Sequence, residues 1–314
     1  MSTILAFINS LPGAVGQGLA WGIMAIGVYI TYRILDIADL TVDGSLATGG
    51  AVCAIAITLG VNPWVALCIA ILAGMLAGLV TGFFHTVCGI PAILSGILTQ
   101  LALYSLNLRI LAIGSDATTK ATLPLSVDNQ HLLLSSRYIR AVALNNPILL
   151  LVALVLIVIG GLYWFFGTEL GSSLRATGAN PNMARAQGIN TNFSKVLALI
   201  VSNGLVALSG ALLSQYQGFA EINMGRGAIV IGLAAIIIGE VVFSKIFVNF
   251  GLKLLAVSIG AVIYYMVVQF VVSVLAINTN YLKLFSALIV AVFLAVPYWK
   301  QEYFHQKRKE GHYA

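Results

Sequence analysis

Residues 148–167 read Ile148-Leu-Leu-Leu-Val-Ala-Leu-Val-Leu-Ile-Val-Ile-Gly-Gly-Leu-Tyr-Trp-Phe-Phe-Gly167, twenty positions without one charge. A helix that crosses a bilayer needs roughly 17–25 mostly apolar residues, so this stretch is a complete span by itself. Working outward, comparable runs occupy 14–35, 45–60, 63–84, 91–113, 195–217, 226–243, 251–276 and 281–298. The runs 45–60 and 226–243 are short, and short runs are where a discontinuous or re-entrant helix is expected. The apolar runs are continuous rather than alternating, which excludes a membrane β-barrel. The expected fold is all-α, a polytopic transmembrane helical bundle of about eight to ten spans.

Composition agrees. Of 314 residues, 60% are AVILMFWYC and 8% are charged, and the mean hydropathy is +1.00. A soluble domain carries about 25% charged residues, so too few polar side chains exist to coat a water-facing globule. A soluble enzyme, a disordered chain and a disulfide-stapled module are all excluded. The 31 glycines suggest close helix packing; Gly74, Gly78 and Gly82 share one helix face, where a neighbouring backbone can approach. Cys53, Cys68 and Cys88 have no metal or redox spacing and read as small buried hydrophobes. The longest segment between spans, 114–147, is too short for a second fold, so residues 1–314 form a single transmembrane domain.

Basic residues set the orientation. Lys300, Lys307, Arg308 and Lys309 crowd a tail at 299–314, and the segment between 168 and 195 carries Arg175, Arg185 and Lys195. Four spans separate these regions, so both face the cytoplasm. That places Arg33 inside, and the N-terminus and the 114–147 loop outside, although Lys120, Arg137 and Arg140 in that loop run against the rule. The first positive charge is Arg33, so no cleavable signal is expected, and residues 1–11 read as a surface helix or lead-in. The basic tail fits cytoplasmic anchoring beside membrane lipid, not nucleic-acid binding.

Chemical motifs are mostly missing. There is no GxxxxGK[ST] loop to cradle nucleotide phosphates and no HExxH, and His85, His131, His305 and His312 are scattered. Catalytic and metal sites are therefore not expected. The segment 169–190 is different. Asn180 can cap a helix, Pro181 suits its first turn, Gly178 can close the helix before it and Gly188 can end it. Two short helices with small residues and isolated arginines suit docking into a groove on another protein.

This segment carries a resemblance. Gly171-x3-Arg175-Ala-x-Gly178-x-Asn180-x3-Ala184-x3-Gly188-Ile189-Asn190, followed by Leu208-Ser-Gly210-Ala211-x5-Gln217-Gly218, resembles the coupling segment of ABC-importer permeases for branched-chain amino acids and ribose-type sugars. Residues 18–58 are similar to that family's first span and polar-Gly turn. Residues 224–243 are similar to its Gly-rich segment, although Glu240 and the lack of a Gly-Gly-x-Gly run depart from amino-acid members. The resemblance implies that the coupling segment 169–192 meets an ATPase subunit through Gly171, Leu174, Arg175, Ala176, Gly178, Asn180, Pro181, Ala184, Arg185 and Gly188. It further implies a second permease subunit (a homodimer), an extracytoplasmic substrate-binding lipoprotein and a bacterial inner-membrane location with a cytoplasmic C-terminus. This chain binds no cofactor in that scheme; ATP and magnesium sit on the partner ATPase.

Charges at span ends are the other candidates, because a charge facing lipid is costly. Arg33, Asp36, Asp39 and Asp43 cluster between the first two spans, and Asp43-Gly44-Ser45 opens the second, with Asp43 a candidate N-cap. Caps and salt bridges at the cytoplasmic rim are one reading; a polar turn lining the translocation path is the other. Glu221, Asn223 and Arg226 precede the 226–243 run on the outer side, as a solvated loop or else as a gate or a docking site. The candidate path residues are thus Asp39, Asp43, Ser45, Glu221 and Asn223. Glu240, near Lys245, reads as structural pairing, and Arg109 as a snorkelling cation. The function expected is import of a small organic nutrient, an amino acid first, a sugar or nucleoside otherwise. The alternative is an ion-gradient-driven transporter or channel, for which the only candidate relays, Asp36, Asp39 and Glu240, all lie at span ends.

Overall fold

The computed structural model describes residues 2–115, 117–125, 132–136, 146–243, 247 and 249–274, with isolated positions between 284 and 295. The tail, most of the 281–298 run, and Arg137, Arg140 and Lys245 lie outside the described residues.

Within them, seven helices are long and apolar enough to cross a membrane, and Ala228–Phe243 is a shorter apolar helix. We number the helices α1 (Ser2–Tyr29, continued by a π-helical turn Ile30–Ile34), α2 (Thr41–Thr58), α3 (Pro63–Thr86), α4 (Ala92–Ile110), α5 (Pro147–Gly167), α6 (Glu169–Ala179), α7 (Pro181–Ala186), α8 (Thr191–Gln217), α9 (Ala228–Phe243) and α10 (Phe250–Val274). Two short strands, β1 (Thr122–Pro124) and β2 (Phe219–Glu221), pair antiparallel. Residues 1–11 do not form a separate lead-in: from Ser2 onward they belong to α1, which runs through Pro12 unbroken.

Local sequence explains most starts. Asn62-Pro63, Asn146-Pro147 and Asn180-Pro181 each open a helix, the proline filling the first turn while the asparagine Oδ1 accepts the N–H of Trp64, Ile148 or Asn182 at 3.0–3.1 Å. Gly218, at φ +79°, closes α8 in the left-handed conformation that favours glycine.

The bundle is organised around α8 and α2. Side chains of α8 donate to carbonyls of α1 in seven-residue steps: Ser202 to Gly27 (2.8 Å), Ser209 to Ala20 (2.8 Å) and Tyr216 to Gly13 (3.1 Å). This register makes the two helices antiparallel along a heptad seam. On α3, the glycines singled out from sequence meet α8 backbone: Gly74 at Asn203, Gly78 at Leu199 and Gly82 at Val196, where a Cβ would collide or crowd. Gly49 of α2 and Gly210 of α8 allow equally close approach, at Ala207 and Leu46. Small residues thus bring backbones together where lipid offers no hydrophobic drive. The molecule has two ends: α6 and α7 lie at one, the β1–β2 pair at the other.

Candidate functional site: two interrupted helices around a polar cavity

The chain between α1 and α2 does not stay at the bundle's rim. After Ile34 it turns back through Asp36, at φ +56°, and enters the bundle, so that α2 starts among its neighbours. Asp39 is buried and caps α2, its Oδ1 accepting the Thr41 N–H at 2.9 Å. Its Oδ2 accepts from Asn203 Nδ2 at 2.7 Å, and Ser45 Oγ donates to Asn203 Oδ1 at 2.6 Å. Asn203 lies at the middle of α8, so these contacts fix the start of α2 at mid-bundle depth. The Thr41 hydroxyl meets Thr81 of α3 at 2.8 Å, and Thr81 donates to Thr99 of α4 at 2.9 Å, linking three helices.

A second helix also starts inside. From β2 the chain descends through residues 222–227, where Gly225 packs on the Asp43 backbone and a Cβ would clash. Then α9 begins, and its first amides are capped from α2: Asp43 accepts the N–H of Gly227 at 3.0 Å and of Ile229 at 3.1 Å. Asp43 is therefore an N-cap, but for α9 rather than for its own helix. A carboxylate at a helix N-terminus satisfies orphan amides and opposes the dipole. With 16 residues, α9 extends about 24 Å, short of a bilayer's hydrocarbon.

Beside this junction is a cavity of about 310 Å³ bounded by α2, α4 and the descending segment. Its polar walls are Asp43, Gln100, Tyr104, Asn107 and Arg226. Asn107 is 1% exposed, yet neither its amide nitrogen nor its oxygen has a partner among the described residues. Of the five path residues expected from sequence, only Asp43 lines this space. Asp39 and Ser45 are consumed by Asn203 on the other face of α2; Glu221 pairs with Thr122 in the β ladder; Asn223 sits in the descent with an unpartnered, buried Oδ1. Arg226 lines the cavity and is also exposed.

Sequence comparison supplies the family. A family model described as the permease component of the branched-chain amino acid transport system matches residues 11–297. The chain belongs to this permease family. The permease is 41% identical over 288 residues to a tyrosine transport system permease protein of Clostridioides difficile, covering 92% of this chain and 91% of that one. It is 27% identical over 285 residues to the ribose import permease protein RbsC of Escherichia coli, covering 86% and 85%. Among solved structures, PsaBC from Streptococcus pneumoniae in complex with Fab superposes with a TM-score of 0.55 at 18% identity over 97% of this chain and 99% of that one, a likeness of fold. The chain is thus a multi-pass ABC-type permease of the importer kind, a transporter component rather than an enzyme.

In the permease the segment 169–190 forms two helices, as its caps foretold. Thr168 caps α6; Asn180 Oδ1 accepts from Asn182 and Met183 at 3.1 Å to cap α7; Gly188, at φ +82°, ends the segment. Gly178 does not close α6, which continues to Ala179; a Cβ there would strike the Ile34 carbonyl, so the glycine serves close packing. Gly171 and Leu174 are buried against the permease's own spans, as is Ala184, while Ala176 is half-buried. Arg175 stacks over Phe250 and Phe166, 4.6 and 5.4 Å from the ring centroids, and Arg185 Nε donates to Thr191 at 2.7 Å. Both arginines tie the segment to the spans. Apart from Ala184 every residue of α7 is exposed, among them Pro181, Asn182 and Met183, the last 64% exposed.

Glu240 is paired, with Arg33 Nε at 2.9 Å. Sequence reading missed Asn203, Asn107, Gln100 and Tyr104. Each is a polar residue inside an apolar helix, and that isolation was the available signal, since lone polar groups in a span need a partner or a purpose.

Proposed function

We propose that the permease is the membrane subunit of an ATP-driven importer that takes an amino acid from an external binding protein. The observation that carries this reading is the short path between the exposed α6–α7 tip and the cavity, a packing contact followed by nine residues of chain. Gly178 of α6 sits against the Ile34 carbonyl, and nine residues further on Asp43 caps α9 and lines the cavity. A partner ATPase holding ATP and magnesium docks on α7 in this reading, at the end that faces the cytoplasm. Its closure moves α6, the 35–40 segment follows, and the starts of α2 and α9 shift together about Asp43. Such a motion alternates access to the cavity between the two sides.

Two further features support the assembly. The exposed side of α4 carries Tyr104, Ser105 and Arg109 among apolar residues such as Leu98, Leu101 and Leu106, and the cavity borders this helix. A second copy facing α4 across a watered path accounts for the polar ones. The amino-acid preference follows the C. difficile relative, whose name assigns it tyrosine transport.

The test is uptake by proteoliposomes containing the permease, its ATPase and its binding protein. We expect ATP-dependent accumulation of labelled tyrosine or another amino acid, with ribose excluded. Uptake that needs no ATP and follows a sodium or proton gradient would overturn the reading in favour of a secondary transporter. Met183→Glu is expected to weaken recovery of the ATPase with the purified permease while leaving insertion intact.

A further inference from the structure

We infer that the cavity beside α4 is a subsite for a zwitterionic α-amino acid, with Arg226 taking the carboxylate and Asp43 together with Asn107 taking the ammonium group. The inference rests on the importer reading and names the residues that would make it selective.

The reasoning starts from what each wall residue has left to give. The side chain of Arg226 has no ion-pair partner among the described residues and lines the cavity. A guanidinium presents a planar fork of donors that matches a carboxylate in bidentate fashion. Asp43 accepts backbone amides at the start of α9 on both oxygens and also lines the cavity, where its negative charge faces a donor such as an ammonium. Asn107 is the decisive residue. Burying an amide with neither donor nor acceptor engaged is unfavourable, and buried polar groups are nearly always satisfied. An amide that is 1% exposed, unpartnered and part of a cavity wall is satisfied when a polar guest arrives. Tyr104 adds an aromatic wall on the same helix.

Charge and size narrow the guest. The wall carries one acid and one base, so the cavity is neutral overall with separated charges. A single cation or anion would leave the opposite wall charge unmatched, while a zwitterion meets both. A sugar meets neither charge. A volume of about 310 Å³ is at the small end of ligand pockets, which run from roughly 300 to 1,000 Å³, and so suits one small solute.

The test uses the purified permease–ATPase complex in lipid nanodiscs without the binding protein, so that only the permease's own site is read. Labelled tyrosine is the probe, with tyramine, 3-(4-hydroxyphenyl)propionate and ribose as competitors. Tyrosine is expected to bind saturably and ribose not to compete. Arg226→Gln is expected to weaken tyrosine by about tenfold or more while leaving tyramine, which lacks the carboxylate, unchanged. Asn107→Leu is expected to weaken both tyrosine and tyramine but not the propionate, and melting of the complex shows whether that variant folds. Equal loss of tyrosine and tyramine in Arg226→Gln would overturn the assignment of the carboxylate. If tyrosine does not bind at all while ATP-driven uptake with the binding protein proceeds, the subsite is wrong and the importer reading stands. If uptake itself fails to require ATP, the importer reading falls instead.

Discussion

Two buried asparagines separate the structural polar groups of this permease from the available ones. Asn203, on α8, is fully buried, and its amide is occupied on both sides: Nδ2 donates to Asp39 and to the Leu199 carbonyl at 3.0 Å, and Oδ1 accepts from Ser45. Asn107, on α4, is equally buried and has no partner. They flank α2 from opposite sides, one locking its start against α8, the other facing the cavity. Chemistry and burial are the same, so the difference lies in what the neighbours have to give. Where the fold supplies every partner the residue is part of the frame, and where it withholds them the residue is free for a guest.

Replacing each by leucine breaks or sharpens this contrast, because the two changes should move stability in opposite directions. Asn203→Leu strands the Asp39 carboxylate and the Ser45 hydroxyl inside the bundle, and a loss of about 3 kcal/mol is expected from uncompensated buried groups. It is measured as a lowered denaturation midpoint in detergent; an unchanged midpoint would mean that Asp39 finds another partner and that Asn203 is not part of the frame.

This largest effect also marks how far the sequence is readable. The spans follow from hydrocarbon thickness, which forces long charge-free runs such as 148–167 and makes them visible one at a time. The two short helices α6 and α7 are readable because their signals are local: Asn180 and Gly188 act within a turn of themselves. Asp43 shows the limit. Its side chain looks like a cap and is one, but the helix it caps begins 185 residues later, and only the folded chain says so. Asn203 and Asp39 are likewise 164 residues apart. Local rules identified which residues were polar against their surroundings; the pairing of those residues is tertiary information.

Asp43 gives the next effect down, because it belongs to both sides of the contrast. Asp43→Ala removes the cap from two α9 amides, and loss of such a cap costs about 1 kcal/mol, up to about 2. Amide exchange at Gly227 and Ile229 should speed up, while exchange in the middle of α8 stays slow. Uniform acceleration through the bundle would mean that Asp43 holds more than the start of α9.

Asn107→Leu has the opposite sign. Replacing an unsatisfied buried amide with an apolar side chain of similar shape relieves a desolvation penalty, so a gain of about 1 kcal/mol is expected in the ligand-free permease. A loss of stability at this site would show that Asn107 is held by partners in the membrane, and it would erase the distinction from Asn203.

The smallest effect lies at the end of the bundle, where polar groups need neither the frame nor a guest. Arg33 and Glu240 form an ion pair at 2.9 Å, but their side chains are 58% and 38% exposed. Water and counter-ions screen an exposed pair, so a double-mutant cycle of Arg33→Gln and Glu240→Gln should give a coupling near 0.5 kcal/mol that shrinks further in high salt. Water stands in for either partner here, as it cannot for Asn203. A coupling of several kcal/mol would instead place the pair in a dry environment, and the segment joining α1 to α2 would then be anchored at Arg33 as firmly as it is at Asp39.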